Sequence, residues 1–378
     1  MRILEVAPLA APIDERATRL GGVQVLVQDL IRGLIARGHE ITLAAGPGSH
    51  LQDVRVADLA VDLSGLQRAK LEKTDKPRPD DAAQRAGFDA VRRWLDDHRG
   101  EIDVVHAHAY DAPAFDALAG AEVPVVHTIH LPPLDLLVVE AARRARGSTL
   151  TTVSEANARS WRAAGVRIDR VVPNGIDVED VPLGRSRGDH LIFAGRMSPE
   201  KGAATAIQVA EMTRRGILLV GDVYDEAYFA REIAPRVRTV ADAGRLDRVR
   251  GAIYIGPRVR LEVYELLSRA AVSVMPVEWD EPFGLVALES LAAGTPVVAY
   301  ARGGLTDVVD DACGALISPG DLTAFARAVD RVASIDPAEC RRKAARFSIE
   351  AMVSEYETLL ADLVHQAISS GGTDGRSR

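Results

Sequence analysis

Two glutamates stand eight positions apart in an otherwise apolar stretch. Glu281 and Glu289 belong to the run DEPFGLVALESLAAGTPVVA, which covers residues 280–299. In a helix, the neighbours of Glu289 at three- and four-residue spacing would be Leu, Val and Ala, so its carboxylate would not lie on a solvated stripe. A buried carboxylate needs hydrogen-bond donors. A ligand diol such as a ribose could supply them, and a salt bridge to an arginine of another element is the alternative.

The residues around Glu281 predict the start of a helix that faces a ligand. Pro282 suits a first helical turn, where its missing N–H would be unpaired anyway. The N–H groups of Phe283, Gly284 and Leu285 would then have no partner within the helix. Gly284 permits a close approach to the backbone, and a helix N-terminus favours phosphate or other electron-rich groups. Glu281, beside that end, could accept hydrogen bonds from hydroxyls.

Two cations flank an earlier strand-to-helix turn, in the run LIFAGRMSPEKG at 191–202. A strand is predicted to end at Gly195, and Arg196 and Lys201 follow it. An arginine binds phosphate oxygens as a fork and a lysine binds them as a point charge, so the pair suits a diphosphate. Simple solvation is the alternative, since exposed cations usually have no specific partner.

A third glycine-containing turn lies near the start of the chain. Gly21 and Gly22 precede a predicted long helix over 22–38, whose apolar residues recur every three or four positions. Free N–H groups are again expected at that helix start, although a Gly-Gly pair can simply form a turn. The spacing is not G-x-G-x-x-G, so the dinucleotide-binding fingerprint is missing.

Four of the nine histidines cluster in sequence, namely His106, His108, His127 and His130. The pair in HAH would place both rings on one face of a strand, which would suit a metal ion. No Asp or His follows at the spacing of a metal hydrolase, which favours satisfied polar side chains for the first three. His130 lies just past its strand and is the candidate to contact a substrate. The chain also lacks an Asp-x-Asp tripeptide, which weighs against a metal-bridged diphosphate.

The composition excludes several classes of protein. The 378 residues carry a formal net charge of -8, which argues against a nucleic-acid partner. Two cysteines cannot form a disulfide framework. The start MRILEVAPLA resembles a first strand rather than a secretory signal, and no segment reaches the roughly 20 apolar residues of a membrane span. A soluble cytoplasmic protein is expected. The basic run RRAR at 143–146 could touch a membrane surface, and a solvated helix end is the alternative.

The elements that would position these residues alternate between strand and helix. Six strands are predicted before residue 175 and six after it, at 2–9, 40–46, 103–109, 123–129, 149–154 and 170–173, then 190–195, 217–221, 252–256, 272–277, 296–300 and 314–318. Such alternation predicts parallel sheets with helices on both faces. We expect two doubly wound α/β domains, of Rossmann-like type, that face a central cleft. A hinge is expected at 173–189 and a loop at 64–85, and ligands should lie beyond the carboxyl ends of the strands.

The motifs, in their order, resemble the family 4 glycosyltransferases, which are retaining enzymes with the GT-B fold. The run EPFGLVALESLAAGTPVVA is similar to the Glu-x7-Glu signature of that family. The Gly-Gly pair, RGHEITLAAG, DVVHAH, HTIH, TVSE, PNGID, FAGRMSPEKG and LLVGD follow in family order over nearly the whole chain. The resemblance implies an acceptor-side domain at 1–175 and a nucleotide-sugar-binding domain at 176–348. It also implies a helix at 349–366 that crosses back to the first domain. A disordered tail is expected at 367–378.

The resemblance also implies roles for the matching residues. Gly22, beside Gly21, would donate a backbone N–H to the donor diphosphate, which Arg196 and Lys201 would also hold. Glu281 would bind sugar hydroxyls with the N–H groups of Phe283, Gly284 and Leu285, and Glu289 would bind the ribose. His130 would lie by the reacting sugar, and Arg258 and Val259 would lie near the base. The implied catalytic set is therefore His130, Arg196, Lys201 and Glu281, with no metal and no cofactor.

This chain departs from the family pattern at two places. Asp307, in GGLTDVV, stands where many members have a glutamate, and the run before Gly21 lacks the usual Pro-Tyr. The expected reaction is transfer of a hexose from a nucleotide sugar, with UDP as the expected nucleotide, to an unidentified acceptor hydroxyl with the anomeric configuration kept. The alternatives are a nucleotide-sugar epimerase of the same architecture, a metal-dependent hydrolase that uses the histidines, and a catalytically silent nucleotide-sugar-binding protein.

Overall fold

The protein divides into two compact units. The computed structural model describes residues 1–14, 22–66, 74, 76, 78–184, 188–240 and 249–371. Unit 1 consists of Met1–Pro173 together with Ile349–Arg378, and unit 2 is Asn174–Ser348. The N-terminal unit is therefore built from two separate stretches of chain.

Unit 1 is formed around a seven-stranded parallel sheet. Its strands are β1 (Arg2–Val6), β2 (Glu40–Ala44), β3 (Arg55–Val56), β4 (Val104–Ala107), β5 (Val125–Ile129), β6 (Thr149–Thr152) and β7 (Arg170–Val171). They are arranged in the order β3-β2-β1-β4-β5-β6-β7. Its helices are α1 (Gly22–Ala36), α2 (Asp81–Asp97), α3 (Ala112–Leu118), α4 (Leu136–Arg144), α5 (Glu155–Ala163) and, from the second stretch, α13 (Ile349–Gly371).

Unit 2 has a second seven-stranded parallel sheet. Its strands are β8 (Leu191–Ala194), β9 (Ile217–Val220), β10 (Arg238–Thr239), β11 (Ala252–Tyr254), β12 (Val272–Met275), β13 (Val297–Tyr300) and β14 (Gly314–Ile317). Their order is β10-β11-β9-β8-β12-β13-β14. Its helices are α6 (Ala203–Thr213), α7 (Glu226–Tyr228), α8 (Arg260–Arg269), α9 (Leu285–Ala292), α10 (Leu305–Val308), α11 (Leu322–Val332) and α12 (Pro337–Ala344).

The strands are buried on both faces because helices cover the two sides of each sheet. Leu4 and Val6 of β1 point to one core, while Ile3 points to the other, where it meets α1 and α13. Strands enclosed in this way are nearly continuous apolar runs, which is why their sequence does not alternate. The expected fold of two doubly wound, Rossmann-like α/β units is confirmed.

The twelve predicted strands are all present, and the structure adds two. β3 and β10 are two-residue edge strands whose residues are exposed, so no apolar run announces them. The predicted loop over 64–85 needs correction, because α2 already begins at Asp81. The predicted tail also needs correction, since α13 continues to Gly371, and the residues after it lie outside the described part of the chain.

The last helix packs on the first. α13 and α1 lie side by side, and Met352, Val353 and Tyr356 share one core with the apolar face of α1. A Cβ added at Gly33 of α1 would lie 2.5 Å from a methyl group of Val353, so the glycine permits the close contact of the two helices. In the parts of the chain that the structure describes, none of the helices is long and apolar enough to cross a membrane.

Candidate active site

In unit 2 the strand order reverses between β8 and β12, and in doubly wound sheets ligands bind beyond the carboxyl ends of the strands at such a point. The loop after β8 and the loop after β12 meet there. The N–H of Glu278 donates to the carbonyl oxygen of Glu200 over 2.9 Å. Gly202 has φ +77°, and a Cβ there would lie 2.0 Å from the carbonyl oxygen of Pro276. Glycine is therefore required for the two loops to come this close.

Glu281 is the centre of a small polar cluster at this place. It is 9% exposed, and its Oε2 accepts hydrogen bonds from Lys201 Nζ at 2.6 Å and from Trp279 Nε1 at 2.8 Å. Lys201 Nζ also lies 4.7 Å from the centre of the Trp279 ring. Both donors use one carboxylate oxygen, and no donor of the described residues reaches Oε1. Glu281 is therefore held rigidly while one oxygen stays available to accept a hydroxyl.

Arg196 lies beside this cluster and also faces a carboxylate. Its Nη2 is 3.4 Å from Glu200 Oε1, an oxygen that accepts a 2.6 Å bond from the Ser198 hydroxyl. The guanidinium carbon lies 4.6 Å from the centre of the Tyr224 ring. The sequence predicted that the two cations suit a diphosphate, with simple solvation as the alternative, and the structure pairs Lys201 with Glu281 and places Arg196 against Glu200. An anion would have to compete with Glu200 for Arg196, and at 3.4 Å that contact is long.

The start of α9 differs from the prediction. Gly284 is left-handed, with φ +101°, and the helix begins after it, at Leu285. Pro282 is therefore not in the first helical turn, and the predicted start there is wrong. The N–H groups without a partner inside the helix are those of Leu285 and the two residues after it. Phe283 lies in the turn before the helix, with its ring buried edge-on against Phe347.

A pair of glycines supports the Glu281 loop from behind. The N–H of Gly304 donates to the carbonyl oxygen of Glu281 over 2.6 Å. A Cβ on Gly303 would lie 2.2 Å from that same oxygen, and one on Gly304 would lie 2.6 Å from the Cα of Phe283. The two glycines are thus needed for contact between backbones. Asp307 follows them in α10.

Glu289 is half-buried and shares one face of α9 with Leu285 and Val286, which are also half-buried. The sequence indicated a carboxylate enclosed by apolar side chains. Ala292, one turn further along the same face, is fully buried, so the predicted enclosure holds at that end of the face. Glu289 itself is partly exposed, as are Leu285 and Val286 on the preceding turn, so its side chain is neither fully enclosed nor on a solvated stripe.

Arg258 and Val259 follow β11, whose end is tied to the end of the neighbouring strand. The N–H of Gly221 donates to the carbonyl oxygen of Gly256 over 3.1 Å. Arg258 is half-buried, and its Nη1 donates to the carbonyl oxygen of Pro257 over 2.8 Å. Val259 is the residue that precedes α8. The ends of β8, β9 and β11 thus lie on one edge of the sheet, as expected for parallel strands.

In unit 1, α1 begins at Gly22, which is exposed. Gly21 lies outside the described residues. The strand order of this unit reverses between β1 and β4, and the histidines are at that place. Glu5 of β1 is the direct neighbour of His106 on β4.

The histidines form a buried network around Glu5. One carboxylate oxygen, Oε2, lies 2.9 Å from His108 Nε2, and the other, Oε1, lies 3.3 Å from His106 Nδ1. The remaining nitrogen of His108, Nδ1, lies 2.9 Å from Nε2 of His130. Nε2 of His106 lies 2.8 Å from the hydroxyl of Thr128. His130 is 6% exposed, whereas Glu5, His106 and His108 are each at most 1% exposed.

Burial and mutual contacts shift the pKa values of this network. Burial alone would raise the pKa of Glu5, but the contacts with His106 and His108 lower it to about 2. Burial and the proximity of His106 lower the pKa of His108 to about 4, against the attraction of Glu5. Burial also lowers the pKa of His130 well below its usual value. Near neutral pH, therefore, Glu5 is a carboxylate, and His108 and His130 are neutral.

Glu5, His106 and His108 could also be considered as metal ligands, because one ligand atom of each lies within 4.8 Å of the others. Their donor atoms are engaged with one another instead. The 2.9 Å contact between His108 Nε2 and Glu5 Oε2 is a direct hydrogen bond, and a metal ion could enter only by breaking it. This geometry does not favour the alternative function of a metal-dependent hydrolase.

His127 does not belong to this network. It is 1% exposed, its ring stacks on Phe115 with centroids 4.4 Å apart, and neither ring nitrogen has a hydrogen-bond partner among the described residues. The prediction that it is a satisfied polar residue is wrong. Burial instead lowers its pKa to about 3, so it is a neutral ring within an apolar core.

Sequence reasoning missed three residues that shape these places, Glu5, Trp279 and Glu200. A signal existed for Glu5, because an acid in the middle of a buried apolar strand requires partners. Trp279 stands two positions before Glu281, but nothing in the sequence shows that its N–H turns toward that carboxylate. Glu200 stands between Arg196 and Lys201 in the run at 191–202, and nothing in the sequence shows that its carboxylate turns toward Arg196.

Comparison with known proteins shows which families the two units match. Residues 20–180 match the family described as Glycosyltransferase Family 4, and residues 185–350 match the family described as Glycosyl transferases group 1. D-inositol 3-phosphate glycosyltransferase of Frankia alni is 32% identical over 369 residues, which cover 85% of this chain and 88% of that protein. Glycogen synthase of Mycobacterium tuberculosis is 28% identical over 398 residues, which cover 94% and 91%.

Solved structures share the fold. Sucrose-phosphate synthase from Thermosynechococcus elongatus matches with a TM-score of 0.76 at 20% identity, and the match covers 97% of this chain and 100% of that chain. HepE from Anabaena, in complex with UDP-glucose, matches with a TM-score of 0.68 at 18% identity, covering 96% and 100%. Two parallel-sheet Rossmann-like units of this kind, with these relatives, define a glycosyltransferase of the GT-B class. Within that class, the chain belongs to glycosyltransferase family 4.

Proposed function

We propose that this glycosyltransferase moves a hexose from a UDP-sugar to an acceptor hydroxyl and keeps the anomeric configuration. The observation that carries the proposal is the cluster of Lys201, Trp279 and Glu281 at the strand-order reversal of unit 2. It leaves one oxygen of Glu281 ready for a sugar hydroxyl. Glu289, which is half-buried on the partly exposed face of α9, is the group proposed to accept the ribose hydroxyls.

The chemistry of the proposal rests on charge that develops on the leaving diphosphate. Arg196 and Lys201 would stabilise this charge, together with the free N–H groups at the start of α9. Groups that interact more strongly with the transition state than with the bound substrate accelerate the reaction. The donor phosphate could itself take the proton of the acceptor hydroxyl, so no strong protein base is required. No metal ion and no cofactor enter this scheme.

A binding panel tests the donor. The melting temperature would be measured with UDP-, GDP- and ADP-sugars and with NAD, without added metal, since a ligand that binds only the native state raises it. We expect stabilisation by a UDP-sugar, and we expect Glu289→Ala to abolish it. Glu265→Ala is the matched control, because Glu265 is an exposed glutamate of the same unit with a 62% exposed side chain. A response to NAD alone, or to no nucleotide, would refute the proposal.

The reaction itself is tested with the donor that binds. Incubation without acceptor should leave the sugar unchanged, whereas an epimerase would convert it. With an acceptor, the anomeric proton coupling of the first product formed should show the configuration of the donor, and an inverted product would exclude the retaining mechanism.

A further inference from the structure

Glu5 of β1 can determine which nitrogen of His130 carries the proton, although Glu5 does not contact His130. Glu5 contacts His108, and His108 contacts His130, so three groups form a continuous buried chain. His130 is the only member of this chain that is more than 1% exposed. The positions of the protons along the chain follow from the chemistry of each group.

The first step is fixed by the carboxylate. An ionised carboxylate only accepts hydrogen bonds, so at the 2.9 Å contact His108 Nε2 must carry the proton and donate. A neutral imidazole has one N–H, so Nδ1 of His108 is bare.

The tautomer of His108 then determines the tautomer of His130. The bare Nδ1 of His108 lies 2.9 Å from Nε2 of His130, and a hydrogen bond at that distance requires a proton on His130 Nε2. His130 is neutral as well, so its own Nδ1 is bare. No donor among the described residues binds this Nδ1.

A side branch holds the acid in place. The second oxygen of Glu5 contacts His106, whose other nitrogen lies 2.8 Å from the Thr128 hydroxyl. That hydroxyl lies 2.7 Å from the hydroxyl of Thr151 and 3.3 Å from that of Tyr356 on α13. Among the described residues, these are the titratable and polar groups that contact the chain from β1, β4, β5, β6 and α13. Because both oxygens of Glu5 are engaged, the carboxylate has little freedom to rotate.

We propose that Glu5 is a positioning residue that acts through His108 to keep the proton of His130 on Nε2, so that the bare Nδ1 accepts a hydrogen bond from a substrate hydroxyl. The part of this inference that concerns the substrate rests on the proposed transfer to or from a sugar. The part that concerns the proton does not, because the chain exists in the free protein. With the opposite tautomer, His130 would offer an N–H at the same position and would repel a hydroxyl proton that points toward it.

The decisive measurement is made on the free wild-type chain. Long-range proton–nitrogen NMR of protein labelled with 15N-histidine distinguishes the two tautomers of each ring and the charged form. His130→Asn and His108→Asn variants assign the signals. We expect both rings to be neutral with the proton on Nε2 at pH 7.5. A proton on Nδ1 of His130, or a charged His130, would overturn the proposal.

Two variants separate positioning from general damage. Glu5→Gln replaces the carboxylate with a group that can also donate, and we expect His130 to lose its single tautomer. Thr128→Val cuts only the side branch, so we expect it to keep the wild-type tautomer. If Glu5→Gln folds and leaves His130 unchanged, Glu5 does not control the proton. If Glu5→Gln fails to fold, the wild-type and Thr128→Val spectra still decide the proton arrangement.

Turnover then tests the role toward the substrate. We expect Glu5→Gln to lower kcat roughly 10- to 100-fold, the range of one lost charge-assisted hydrogen bond, and to leave the Kd of the nucleotide unchanged. Unchanged kcat with a shifted tautomer would refute the substrate contact. Absence of transfer by the wild-type chain would instead refute the proposed function, while the NMR result for the free protein would stand.

Discussion

At the scale of single residues, the polar groups at the two strand-order reversals are satisfied in different ways. In unit 2, Glu281 uses one oxygen for two donors and keeps the other available. In unit 1, both oxygens of Glu5 are engaged, and its influence reaches outward only through His108. This difference agrees with the two roles that we propose, since a group that binds a substrate needs an unused acceptor and a group that positions another residue does not.

The long contact of Arg196 gives a prediction for turnover. Arg196→Ala should lower turnover by roughly two to three orders of magnitude, the usual loss when one group that stabilises developing charge is removed. Steady-state kinetics with the accepted donor checks this. Arg231→Ala is the control, since Arg231 is an arginine of the same unit with a 68% exposed side chain that pairs with its sequence neighbour Glu232. Turnover of Arg196→Ala equal to that of the control would remove Arg196 from the mechanism.

At the scale of elements, most of the sheet could be predicted and the loop contacts could not. A parallel strand that is buried on both faces is a nearly continuous apolar run. The apolar runs next to His106 and Arg196 therefore predict β4 and β8. The start of α9 was misplaced because Pro282 is compatible with a first turn, while the left-handed Gly284 ends that possibility. The pairing of Lys201 with Glu281 joins residues 80 positions apart. No local pattern contains such information.

The glycine pair behind the Glu281 loop gives a prediction for that element. Gly303→Ala should greatly weaken nucleotide-sugar binding, because the new Cβ would lie 2.2 Å from the carbonyl oxygen of Glu281 and would push the loop away. Calorimetric titration with the donor measures the loss. Gly320→Ala is a matched control, since Gly320 also has positive φ, +84°, but a Cβ there meets nothing within 4 Å. Equal affinities for the two variants would show that the contact with Glu281 is not what supports binding.

At the scale of the whole molecule, the two units differ in their content of histidine. Eight of the nine histidines belong to unit 1, and only His190 lies in unit 2. In the folded state the pKa of His108 is lowered to about 4 and that of His127 to about 3, from an ordinary 6.5. Between pH 6.5 and the lowered pKa of each histidine, the unfolded chain binds a proton at that histidine and the folded chain does not. The contribution of these histidines to the free energy of unfolding is therefore fully present above about pH 6.5. It falls as the pH decreases, by about 1.4 kcal/mol per pH unit for each such group.

Unit 1 should consequently unfold at a higher pH than unit 2 during acidification. Glu5 adds to the loss below its ordinary pKa of 4.5, since its folded-state pKa is about 2. Hydrogen exchange read by mass spectrometry at a series of pH values follows each unit through its own peptides. We expect protection to be lost first at 104–107 and 125–129, and His127→Leu should reduce the pH dependence by the contribution of one group. Simultaneous loss of protection in the two units, or earlier loss in unit 2, would contradict this expectation.

The order of synthesis on the ribosome gives α13 a further significance. Unit 2 is one continuous stretch, 174–348, so all of it leaves the ribosome before α13, which unit 1 needs to cover the apolar face of α1. During translation, the first-made half of the protein thus carries an unfinished surface while the second-made half can already fold. The newborn chain exposes this surface longest around Gly33, which packs against Val353 of α13 in the folded protein, and this is where a chaperone would be expected to bind.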